Sequence, residues 1–168
     1  MELNSLRALF VHELKDVYSA EKQITQALPK MIKGADNPEL ASALEDHLRA
    51  TEGQIERLDR IFKSLGESSR SNKKCHGMEG LLEEGGELLK EKGEPEVLDA
   101  GIIAAAQKVE HYEIATYGTL ITWAGMLGEE QAQGLLEETL VEEKEADQLL
   151  SQIAQSAVNA EAMAQPAR

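Results

Sequence analysis

Aromatic side chains make up only 4% of this 168-residue chain. Runs of valine and isoleucine are also scarce, so little in the sequence favours strands. There is one cysteine, Cys75, which excludes an internal disulfide. No apolar stretch approaches the roughly 20 residues that a membrane span requires. Positive charge is in short supply: 17 Lys and Arg stand against 31 Asp and Glu, for a formal net charge of −14. Such a surface repels phosphate backbones and anionic lipid, so neither nucleic acid nor a membrane is expected as a partner. Met1-Glu2-Leu3-Asn4 lacks the basic-then-apolar pattern of a signal peptide, and a cytoplasmic location is expected.

What the chain has in quantity is Ala, Leu, Glu, Lys and Gln, the strong helix formers. Caps and breakers then divide it into an all-α pattern. Helix 1 is predicted over residues 5–32, with Asn4 or Ser5 as cap and Gly34 as stop. Asn37-Pro38 opens a second helix that runs to residue 65. A polar connection, 66–76, leads to a short amphipathic helix over 78–92. Gly93-Glu94-Pro95 ends it, and two more long helices follow, over 96–127 and 129–157. Two long helices, a long connection carrying its own short helix, and two more long helices give the layout of a ferritin-like four-helix bundle. The expectation is one bundle domain over residues 1–157, with 158–168 as a mobile tail.

Steps of three and four residues define one inward seam per long helix. Helix 1 gives Phe10, Leu14, Val17, Glu21, Ile24 and Leu28. Helix 2 gives Leu40, Leu44, His47, Thr51, Gln54, Leu58 and Ile61. Helix 3 gives Ile103, Ala106, Glu110, Glu113, Tyr117 and Leu120. Helix 4 gives Leu136, Thr139, Glu143, Ala146, Leu150 and Ile153. Each seam is apolar at both ends and polar in the middle. Glu110 and Glu113 lie 14 and 17 residues after Glu96, and Glu143 lies 14 after Glu129. At about 1.5 Å per residue these positions share one level of the bundle with Glu21 and Gln54. Asp147, one turn beyond Glu143, can point to the same place.

One buried, unpaired carboxylate costs several kcal/mol, and the seams hold no Arg or Lys. Two cations bridged by carboxylates would offset the charge, and an oxygen-rich set suits iron, or else manganese. The candidate ligands are therefore Glu21, Gln54, Glu110, Glu113, Glu143 and Asp147. His47, two turns from Gln54, is read as a buried, hydrogen-bonded histidine, with the helix 2 ligand left open between Gln54, Glu52 and His47. Cys75 is read as an exposed thiol, and Glu142–Glu145, apart from Glu143, as a solvated face.

Several segments carry a family resemblance. Ser19-Ala20-Glu21-Lys22-Gln23, His47-Leu48, Gln54-Ile55-Glu56-Arg57, Val109-Glu110-His111-Tyr112-Glu113-Ile114-Ala115 and Glu142-Glu143-Lys144 resemble the YciF-type bacterial stress proteins. That resemblance extends to about Ile153. It implies the ferritin-like superfamily, a rubrerythrin-like bundle, a cytosolic homodimer and a part in stress responses. The wider di-metal pattern of that superfamily is matched by Glu21, Glu110, Glu113 and Glu143. It is not matched on helix 2, where Thr51-x-x-Gln54 stands in place of Glu-x-x-His, with Glu52 one step off the seam. Ala146 likewise stands where helix 4 would carry His. The carboxylate level itself, rather than the resemblance, carries the expected function, oxidation of iron or reduction of oxygen or peroxide, with a metal-free structural or partner-binding stress protein as the alternative. No Cys-x-x-Cys pair is present, so electrons would come from an external donor.

Overall fold

A computed structural model describes residues 3–165, and among them every regular element is helical. The helices are α1 (Leu6–Gly34), α2 (Pro38–Ser64), α3 (His76–Leu88), α4 (Pro95–Leu127), α5 (Glu130–Ile153) and α6 (Asn159–Ala164), with a π-helical segment, Ala154–Val158, joining the last two. Four long helices form the bundle, and α3 lies in the crossover between α2 and α4, packed on α1 and α4. It covers the bundle through the fully buried Met78.

Local chemistry accounts for the ends. The Ser5 hydroxyl accepts the Ala8 N–H at 3.1 Å and starts α1. The Asn37 side chain accepts from Glu39 and Leu40 at 2.9 and 3.1 Å, and Pro38 fills the first helical position of α2. Gly128 ends α4 with φ 73°, a left-handed conformation that glycine adopts without a Cβ clash.

Two boundaries differ from expectation. Helix α3 begins at His76, because the Cys75 sulfur caps its start by accepting the Met78 N–H at 3.4 Å, and it ends at Leu88. The final helix does not fade at Ala157. The backbone stays helical to Ala164, because Val158 is buried and α6 packs against α4. Residues 166–168 of the expected tail lie outside the described residues.

The core has two apolar halves. One gathers Ile24, Leu28, Leu40, Leu44, Ile102, Ala106 and Leu150. The other gathers Phe10, Leu14, Leu58, Ile61, Tyr117, Leu120 and Leu136. Fully burying one such aliphatic side chain stabilises a fold by roughly 1.5–3 kcal/mol. Between the halves lies a layer of polar side chains from all four long helices.

Candidate metal centre

That layer contains Glu21 from α1, His47 and Gln54 from α2, Glu110 and Glu113 from α4, and Glu143 from α5. Glu21, Gln54, Glu113 and Glu143 are completely buried, whereas His47 is 8% exposed and Glu110 2%. One ligand atom from each of His47, Glu110, Glu113 and Glu143 lies within 4.8 Å of the others. His47 Nε2 is 3.4 Å from Glu110 Oε1.

Few donors reach these groups. The Tyr117 hydroxyl donates to Glu21 Oε1. Gln54 Nε2 donates to Glu143 Oε1 and, at 3.0 Å, to Glu142 Oε2. Arg57 at the margin grips Glu142 through both terminal nitrogens, one at 2.7 Å, and lies 3.3 Å from Glu138. Among the described residues, seven buried side-chain atoms have no hydrogen-bond partner: Glu21 Oε2, His47 Nε2, Gln54 Oε1, Glu110 Oε2, both Glu113 oxygens and Glu143 Oε2. All seven belong to this one layer, in a fold where buried polar atoms are normally satisfied.

The electrostatics follow from the same burial. Desolvation, with the charge of Glu143 second, pushes the Glu21 carboxyl up to about 8. Burial and the neighbouring carboxylates hold Glu110 and Glu113 well above the ordinary carboxylate range. Burial also lowers the His47 imidazole, against the pull of Glu143 and Glu142, so its contact with Glu110 is that of a neutral ring. Tyr117 is raised by burial and the charge of Glu21 and stays a protonated donor. Glu142 behaves oppositely: burial raises it, but the hydrogen bonds from Arg57 and Gln54 outweigh that and leave it lowered. Carboxylates with free lone pairs beside a neutral imidazole make a donor set that could hold a metal ion.

Residues 5–163 match the family described as a domain of unknown function, DUF892. The chain belongs to the DUF892 family. It is 48% identical to protein YciF of Escherichia coli K12 over 162 residues, 96% of this chain and 98% of that protein. The crystal structure of the E. coli stress protein YciF superposes with a TM-score of 0.90 at 47% identity, covering 94% of this chain and 99% of that one. A Rhodopseudomonas palustris protein, YcfI, named as a candidate structural protein, superposes with a TM-score of 0.86 at 47% identity, over 89% and 95% of the two chains. A Xanthomonas campestris protein at 22% identity shares the fold, with a TM-score of 0.73.

In this DUF892 chain the structure brings Glu21, Gln54, Glu110, Glu113 and Glu143 into one layer, as the seams predict. Asp147 does not join them. It is half-buried and turned to the outer side of α4, accepting from Gln107 at 3.0 Å and lying 3.3 Å from His111 Nε2. A step of four residues advances about 40° past a full turn, enough for Gln107 and His111 to capture it. Glu52 stays exposed.

His47 joins the cluster, contrary to its reading as a distant histidine, and the reason lies in register. The Asp99 carboxylate accepts the backbone N–H groups of Asp36 and Asn37 at 2.9 and 2.8 Å. The start of α2 is therefore level with Asp99, not with Glu96. His47 lies 10 residues past Asn37 and Glu110 lies 11 past Asp99, so the two sit within about 1.5 Å in height.

Two other readings change. The Cys75 thiol is 1% exposed, because Lys73 anchors the connection to Asp16 at 3.2 Å and folds the cysteine inward against Tyr112 at 3.0 Å. Glu142 is half-buried and held by Arg57; Arg57 falls three residues after Gln54, a spacing that could have flagged the pair. Tyr18 packs edge-on against Phe62 at 5.8 Å and donates to Asp59, away from the centre. Among the described residues no helix is long and apolar enough to cross a membrane.

Proposed function

We propose that this DUF892 protein holds a pair of divalent metal ions, iron in the first place and manganese in the second, between Glu110, Glu113, Glu143, Glu21 and His47, with Gln54 orienting Glu143. The observation that carries this reading is the set of seven orphaned buried atoms in one layer. Four buried carboxylates carry four negative charges when ionised. Two divalent cations balance them, whereas one leaves a buried excess that costs several kcal/mol. The bound metal would supply redox chemistry towards oxygen or peroxide. The protein's own part is to fix the carboxylates, keep His47 neutral, exclude water and hold the Tyr117 proton against Glu21.

Kinship with a stress protein of E. coli supports a role under stress. The cytoplasmic location, a homodimeric state and an external electron donor belong to the same proposal. Cys75 is the one cysteine of the chain, so an internal redox pair of thiols is excluded.

Elemental analysis of protein purified without chelator tests the reading. About two iron or manganese ions per chain, lost in Glu113→Gln, is the expected result. Absence of metal after anaerobic loading with ferrous iron overturns it. A second reading is then favoured by the Tyr117 and Gln54 hydrogen bonds and the raised carboxyls: a metal-free bundle whose polar layer is protonated. In that case chelators leave the melting temperature unchanged, whereas a bound ion raises it by mass action.

A further inference from the structure

A second feature stands apart from the polar layer. Between the middle of α1 and residues 69–73 of the crossover lies a cleft of about 570 Å³, within the size range of small-molecule sites. Lys15, Lys22, Arg70 and Lys73 line it. The rest of the lining is Tyr18 and neutral Ser, Gln and Asn side chains, with no carboxylate. In a chain where acids outnumber bases 31 to 17, this is a reversal of the average surface.

Three of the four cations are uncommitted. Lys73 is tied to Asp16 at 3.2 Å and to His12 at 2.7 Å. Lys15, Lys22 and Arg70 make no ion pair among the described residues. The Lys22 ammonium sits 4.5 Å from the centroid of the Tyr18 ring, which leaves its donors to point away from the ring. The crossover wall is pinned to α1 at its far end: Cys75 N–H donates to the Ser19 hydroxyl, and the Gln23 amide donates to Cys75 O, both at 3.1 Å. Part of the ordering that binding would require is thus already in place.

We propose that this cleft binds a phosphate-bearing small molecule of about mononucleotide size. A phosphate group offers several acceptor oxygens and more than one negative charge, which answers a lining made of donors and cations. Tyr18, edge-on to Phe62, holds the Lys22 ammonium over its ring and so keeps that cation at the cleft wall. Long polyanions do not fit the same description, because beyond the cleft they meet the acidic surface of a chain whose formal net charge is −14. The site is independent of the metal reading and stands or falls without it.

Calorimetric titration of full-length protein at low salt, with inorganic phosphate and with adenosine monophosphate, tests the assignment. Wild type binds both, each displaces the other, and added salt weakens both. The Lys22→Glu/Arg70→Glu double variant loses at least about tenfold in affinity, while Lys144→Glu on α5 does not; unchanged melting temperatures show that all three are folded. Tighter binding of the nucleotide than of phosphate supports seating of the whole mononucleotide in the cleft, and equal binding supports recognition of the phosphate group alone. Failure of wild type to bind either probe, equal binding by the double variant, or preference for an oligonucleotide over the mononucleotide each overturns the proposal.

Discussion

Asp99 on α4 accepts the backbone N–H of Asn37, the residue that caps α2, at 2.8 Å. The two are 62 positions apart in sequence, and their contact fixes how far α2 and α4 slide past one another. Its other oxygen takes the Asp36 N–H, so each carboxylate oxygen accepts one backbone N–H in a place that is 2% exposed. Hydrogen bonds to a charged group contribute about 1.5–3 kcal/mol each. Asp99→Ala is expected to lower stability by roughly 2–4 kcal/mol in urea unfolding and to weaken metal uptake, since His47 and Glu110 then lose their common level. Unchanged stability would mean that this contact does not hold α2 and α4 in register.

His47 is the one nitrogen donor of the cluster and is already neutral. His47→Ala is expected to weaken metal binding by about ten- to a hundredfold, read by titration with a competing chelator. Asp147→Ala, which removes a carboxylate facing Gln107 and His111, is expected to leave it unchanged. The reverse ranking of these two variants would place the metal on the outer side of α4.

The pH dependence of the metal-free protein runs against the usual direction. Unfolded glutamate titrates near its ordinary value, whereas folded Glu21 holds its proton to about 8, and Glu110 and Glu113 are raised as well. Between those limits the folded chain binds more protons than the unfolded chain, so stability falls as pH rises through that window and is fully present below it. Urea midpoints in chelator should therefore be higher near pH 5 than near pH 8, with a shallower trend in Glu113→Gln. A rising midpoint over the same range would contradict the burial of these carboxyls.

Cys75 offers a probe of the crossover. Its thiol is buried, pushed up chiefly by burial and then by Asp16, and hydrogen-bonded to Tyr112. Thiolate is the reactive form, so a disulfide reagent should modify folded protein slowly and unfolded protein fast. Lys73→Ala, which frees the connection from Asp16, should speed the reaction without unfolding the bundle. Equal rates in folded and unfolded protein would mean the thiol is accessible.

The sequence exposed much of this and hid a definite part. Helix starts at Ser5 and Asn37-Pro38 and the stop at Gly128 are local chemistry, and they were legible. So were the inward glutamates, since Glu21, Glu110, Glu113 and Glu143 each continue an apolar seam. Register between helices is not local. It depends on Asp99 meeting backbone groups from the other hairpin, and nothing in the seams reveals that an acid near the start of α4 is a cap for α2. The seam puts His47 inside the bundle, where it lies, but for that reason hides how close it comes to Glu110. Cys75 was misread because its neighbours in sequence are polar, while its burial is decided by Lys73 reaching Asp16.

The buried carboxyls also change how the molecule looks electrically. Where Glu21, Glu110 and Glu113 keep their protons, the folded chain shows the outside world about three fewer negative charges than its formal −14. When divalent ions take the place of those protons, the exchange trades positive for positive in the interior. Migration in an electric field then barely changes between the empty and the loaded protein, and the missing charges come into view only when the bundle opens.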